Sequence, residues 1–391
     1  MRELKIFLVV VVFTALVYWG VEPYAHSVMS PHVAAANFDF AKEDTDYAKS
    51  MIELRQKELA AAQKELNKVK QGKDKEAVDL AEGKVKTATA ALEKVKTNLQ
   101  ANEALWARVK EINFKAADAQ RGAEFFQTNC AACHGLKTAG FEGNIPDSSI
   151  YGVLPPDLSS TGAIYDEKFL AALILNPALA LKVEHKFPDG FIMTAYNADT
   201  SGDSEDVVSA NIADVIAYLK SVAKTYNEAF DKELRTELKA KYAKIQDLSE
   251  KERHELIEKD FKFGKDRNNF IEACGRCHDM RYDNFKALSA QEDLKGYLGS
   301  IPPDLSMMIR SRSGEYLNNF INNTQKVLLD TAMPRVGLTQ EAQESVIAYM
   351  EQIGDSKKQE REKTGIYVMI FFVILSIFAI AWKRKIWADL H

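Results

Sequence analysis

The 391-residue sequence predicts an all-α protein with an apolar anchor at each end. Three observations predict it. Long stretches place apolar residues three and four apart, the period of an amphipathic helix. Both ends carry an uninterrupted apolar run. Between them one order of motifs occurs twice, as expected of two copies of a small helical unit. The net charge of −5 is too small to dictate a partner, and nothing points to nucleic acid.

Residues 1–24 hold the first run. "IFLVVVVFTALVYWGV" (Ile6 to Val21) is sixteen apolar or small residues behind Arg2 and Lys5, close to the length of a membrane-spanning helix. Its counterpart in 357–391 is "GIYVMIFFVILSIFAIAW" (Gly365 to Trp382), followed by Lys383, Arg384 and Lys385. The basic flanks stand at the two extremes of the chain. The positive-inside tendency therefore puts both termini in the cytoplasm and everything between them in the periplasm. Tyr18, Trp19, Tyr367 and Trp382 fall where interfacial aromatics are expected. A cleaved signal peptide is the rival for the first run. Its cleavage sites are poor: Tyr18, Trp19, Glu22, Pro23 and Tyr24 are bulky, charged or cyclic, "YAHS" at 24–27 fits badly, and Ala34 to Ala36 comes late. Retention is the expectation. For the second run the rival is a buried core helix, against which its charge-free length and basic stop both argue.

A periplasmic connector, 25–41, leads into residues 42–115. These are rich in Ala, Glu, Lys and Leu, contain no proline, and offer Glu–Lys pairs at i, i+4. "QGKD" at 71–74 is the natural break, so a hairpin of two long antiparallel helices is expected. A self-packed coiled-coil insertion is favoured over a docking arm for a partner subunit. The charged residues 229–262 read as a helical linker with a solvated face. On either side of it lie the two repeated units, 116–228 and 263–356.

All four cysteines fall in two windows, "FFQTNCAACHGL" (Phe125 to Leu136) and "FIEACGRCHDM" (Phe270 to Met280). A CxxC pair alone suits a redox disulfide or half a zinc site; with histidine directly behind, it reads as covalent c-type haem attachment. Cys130 and Cys133, and likewise Cys274 and Cys277, are spaced to form thioethers to the two vinyl groups of one porphyrin. His134 and His278 then lie under the iron as fifth ligands. One all-thiolate zinc site drawing on both windows would leave both histidines unexplained. Two covalently bound haem c groups are expected, and their attachment outside the cytoplasm agrees with the charge flanks.

Each window is followed by a proline loop, "LPPDLS" (Leu154 to Ser159) or "IPPDLS" (Ile301 to Ser306). Its repetition favours a haem-packing loop over a plain turn before a helix. Each unit closes on an ordinary core helix, "VIAYL" (Val215 to Leu219) or "VIAYM" (Val346 to Met350). Between loop and helix stands a methionine in an irregular stretch, Met193 or Met333, 59 and 55 residues past the unit's histidine. Such a thioether opposite histidine gives six-coordinate iron of raised potential, suited to electron transfer. His185 is the rival ligand in the first unit. Met280, Met307 and Met308 read as packing residues, and His254, in a charged helix, as solvated.

The segment "YWGVEPYAHSVMSPHV" (Tyr18 to Val33), the doubled PPDLS units and the basic-tailed C-terminal anchor resemble one family. It is the di-haem cytochrome c subunits that replace cytochrome c1 in some proteobacterial quinol–cytochrome c reductases (bc1-type complexes). The resemblance covers roughly residues 1–40 and 117–391; the CxxCH motifs are common to all c-type cytochromes. It implies two tandem class I cytochrome c domains, with His134–Met193 and His278–Met333 as axial pairs. A carbonyl of Pro155 or Pro156, and of Pro302 or Pro303, would orient each imidazole. It implies an electron-transfer subunit in the bacterial inner membrane, with a cytochrome b subunit and a Rieske iron–sulfur protein as partners and a periplasmic cytochrome c as acceptor. Quinol oxidation would fall to partner subunits. A terminal (cbb3-type) oxidase feeder is the alternative, and a di-haem peroxidase-like enzyme, which needs an open iron position, is the second. The hairpin and the N-terminal anchor depart from the one-haem, one-anchor pattern of cytochrome c1.

Overall fold

A computed structural model describes residues 2–29, 38–72, 74–187 and 190–390. The late cleavage candidate, Ala34 to Ala36, lies outside the described residues, as do Lys73 of the QGKD break and Pro188 and Asp189 before Met193. Among the described residues the fold is all-α: helices and short 3-10 turns with three isolated bridges and no strand.

The N-terminal run is one rod, α1 (Arg2–Leu16) passing through a π-helical turn at Val17–Val21 into α2 (Glu22–Met29). The hairpin forms from α3 (Phe40–Val69) and α4 (Lys75–Glu111), and Asp39 and Asp74 cap their first turns by accepting backbone N–H groups. Exposed ion pairs cross between the helices, Lys84 to Glu65 and Lys70 to Glu82, both at 2.9 Å. Each contributes at most about 1 kcal/mol. The foot of the hairpin is different. Phe40 stacks on Trp106 with centroids 6.0 Å apart and meets Phe169 of the first unit at 5.5 Å, so the insertion is rooted in that unit's core.

In the first unit α5 (Ala119–Asn129) carries the first window at its end and α6 (Glu167–Leu175) crosses below. Asp118 caps α5 and is itself held by the buried carboxylate of Asp214, which also takes Arg121 Nε at 2.7 Å. Asp214 lies on α7 (Glu205–Ala243). Where α5 meets α7, a Cβ on Gly122 would stand 2.0 Å from the Asp214 carbonyl oxygen, so only glycine allows the approach. In the second unit α8 (Glu250–Cys274) ends in the second window and packs on α10 (Gln340–Gly354), with α9 (Gly314–Asn322) alongside. Phe126 faces Tyr218 at 6.0 Å in one unit, and Phe270 faces Tyr349 at 4.9 Å in the other. Both phenylalanines are fully buried.

The charged stretch between the units is not a separate element. α7 and α8 run through it and pair along an apolar seam of Leu238, Tyr242, Ile257 and Phe261, with Arg235 stacked 3.7 Å over the Phe261 ring. The units also touch directly: Tyr165 bridges to Leu338, and Asp166 N–H donates to Gly337 C=O at 3.0 Å.

The C-terminal run lies in α11 (Lys358–Leu390). Two segments, Arg2–Ala25 and Lys363–Ala388, are long and apolar enough to cross a membrane, with mean hydropathies of 2.3 and 2.5. Neither apolar window has a buried residue, which a core helix would require. Lys383 Nζ bonds Glu3 at 2.8 Å, so the two runs meet at their chain-end sides. This layout fits membrane anchoring.

Candidate functional site

Each window is a tight turn closed at the end of its helix. Cys130 C=O accepts the N–H groups of Cys133 and His134 at 3.1 and 3.0 Å; Cys274 C=O accepts those of Cys277 and His278, both at 3.1 Å. Two thiols and an imidazole are thereby gathered within one turn, twice.

The proline loop then fixes the ring. His134 Nδ1 lies 3.1 Å from Pro156 O, and His278 Nδ1 lies 2.8 Å from Pro303 O. A carbonyl can only accept, so Nδ1 carries the proton and Nε2 keeps its lone pair, the form a metal ligand needs. The structure thus brings Pro156 and Pro303 to the imidazoles, and not Pro155 or Pro302.

What aims these carbonyls is the Asp-Leu-Ser part of each loop. Asp157 accepts from Ser159 N–H at 2.9 Å and Lys137 N–H at 3.2 Å; Ser159 Oγ accepts from Thr138 N–H at 3.1 Å. Asp304 accepts from Ser306 and Arg281 N–H, both at 3.2 Å, and Ser306 Oγ accepts from Tyr282 N–H at 3.1 Å. Leu158 N–H bonds Gly135 C=O at 2.8 Å, and Leu305 N–H bonds Asp279 C=O at 3.0 Å. The loop is a staple onto the turn behind the histidine. Sequence reading found the loop by its repetition but assigned no role to Asp157, Ser159, Asp304 or Ser306.

Burial decides the electrostatics. It pushes the Cys130 thiol up to about 11 and the Cys274 thiol up to about 12, and raises that of Cys277. Burial also lowers both His134 and His278, against the opposing pull of their proline carbonyls. Among the described residues no group of three or more His, Cys, Asp or Glu side chains is placed to hold a bare metal ion, so the two windows do not form a shared zinc site.

Met193 and Met333 are half-buried in irregular segments and belong to neither apolar core. Met280 is fully buried at the position where the first unit has Leu136, and Met308 packs against the second core. Met307 is largely exposed rather than packed, and His254 is exposed. His185 is half-buried, and its Nε2 is buried with no hydrogen-bond partner. It therefore stays open beside Met193 as a ligand in the first unit. Two thiols and an imidazole whose Nδ1 is engaged by a carbonyl form a donor set that fits a covalently held haem.

Residues 119–223 match the family model for cytochrome c; the second repeat lies beyond the matched residues. No curated protein and no solved structure matches the chain. The chain therefore contains a cytochrome c domain over residues 119–223, with the covalently bound haem c and the electron-transfer role that such a domain implies.

Proposed function

We propose that the second unit is a second cytochrome c domain, and that the chain is a membrane-anchored di-haem electron-transfer subunit of a quinol–cytochrome c reductase. The single observation that carries the second haem is the reproduced ligand geometry: His278 on Pro303, stapled by Asp304 and Ser306, repeats His134 on Pro156, stapled by Asp157 and Ser159.

Bound haem supplies a one-electron iron couple at each unit. The chain's own residues do the rest. Cys130, Cys133, Cys274 and Cys277 tether the group. His134 and His278 present Nε2, made more basic by the proline carbonyl behind the ring. Met193 and Met333 would supply the remaining iron ligand and so keep out water and exogenous ligands. Nothing here performs quinol chemistry, which falls to a cytochrome b partner. Electrons enter from a Rieske iron–sulfur protein and leave to a periplasmic cytochrome c. Support for the membrane setting comes from the two apolar runs and from the Lys383–Glu3 pair between them, and the basic flanks favour a cytoplasmic place for both ends.

Purification of the native complex tests this reading. Cytochrome b and a Rieske protein should co-purify, with two haem c per chain. A copper–haem catalytic subunit in their place would assign the chain to a terminal oxidase, and one haem per chain would end the di-haem reading.

A further inference from the structure

We infer that Asp44, at the foot of the hairpin, is a positioning residue that fixes both sixth-ligand loops against one another. This rests on the reading that Met193 and Met333 close the two irons.

The Asp44 carboxylate is 1% exposed. It accepts Trp106 Nε1–H at 2.8 Å, Lys182 Nζ at 3.1 Å and both terminal nitrogens of Arg335, one at 3.2 Å. Lys182 opens the segment that leads to Met193, and Arg335 closes the one that holds Met333. Both cations are buried, so one carboxylate from the insertion is shared between a charge from each unit. The loops are also joined directly, Arg335 N–H donating to Leu181 C=O at 3.0 Å.

Two further features mark the site as more than packing. Lys182 holds a left-handed backbone, φ +60°, which a non-glycine residue adopts only where its surroundings enforce it. Its ammonium is enforced twice, by Asp44 and by Asn102 Oδ1 at 2.9 Å. The hairpin also grips the second loop outside the buried cluster, where Glu43 pairs with Lys326 at 3.1 Å. A self-packed coiled coil needs no buried carboxylate at its foot. Without Asp44, two buried cations are left to one another, and the loops must move to hydrate or separate them. Met333 stands two residues before Arg335, and Met193 follows Lys182 along the chain.

The test compares full-length protein, purified in detergent, with its Asp44→Asn variant. Both should keep their covalently bound haem. In the variant the near-infrared methionine-to-iron band should be mostly lost, and both steps of the redox titration should shift to lower potential. An unchanged band, or a shift confined to one step, would overturn the shared positioning role while the methionine reading stands. A wild-type protein lacking the band would fail the methionine reading itself, and this inference with it. If Asp44→Asn does not accumulate, Lys182→Met and Arg335→Met each remove one cation and leave Asp44 paired. Each should then lower the redox step of the mutated unit's own haem, and an unchanged titration in both variants would overturn the inference.

Discussion

At His278 a single carbonyl decides which ring nitrogen is available. Pro303 C=O accepts a hydrogen bond from Nδ1–H at 2.8 Å, which leaves Nε2 with its lone pair. Met333, the proposed sixth ligand, sits in an irregular segment outside the core. Met333→Ala should leave the haem attached, open the sixth position and lower that haem's midpoint potential. Redox titration with near-infrared spectroscopy reads this, and an unaltered methionine band would assign the ligand elsewhere. At this scale the cysteines and histidines were legible because their chemistry is local: five consecutive positions suffice. The choice between Pro155 and Pro156 was not, since carbonyl direction depends on the turn that Asp157 sets. Nor could spacing separate His185 from Met193, and the orphaned Nε2 of His185 keeps that comparison alive.

Among the elements, the crossing of α5 with α7 sets where the first window points. Gly122→Ala would drive a methyl group into the backbone of Asp214, where no side chain can yield. Overpacking of this kind costs about 3 kcal/mol, and thermal unfolding followed by circular dichroism should show a clear fall in Tm. A Tm within a degree or so of wild type would mean that the helices separate freely. The two hairpin helices were readable from periodicity and from the QGKD break. Their foot was not: Asp44 and Arg335 are 291 positions apart, and no pattern in either neighbourhood announces a buried ion pair. The charged linker is helical with a largely exposed charged face, as expected, but its many Lys and Glu residues hide a four-residue apolar seam along which two helices pair.

For the molecule as a whole, duplication was legible because both units keep the same order of motifs, and the bonds from histidine to proline carbonyl recur where those motifs fall. Their mutual arrangement was not legible, since it depends on backbone pairings such as Tyr165 with Leu338 that carry no residue signature. Topology gives the prediction at this scale. Epitope tags on either terminus should survive protease added outside intact cells, whereas a tag in the hairpin tip near residue 72 should be cut once the periplasm is opened. A terminal tag removed under the same treatment would reverse the orientation. The contact of Lys383 with Glu3 has a mechanical consequence. A head on one stalk can swivel freely about it, but on two stalks standing side by side it cannot turn without winding one around the other. Both prosthetic groups would then keep a set azimuth above the bilayer, and the same flank would always meet whatever docks beside it.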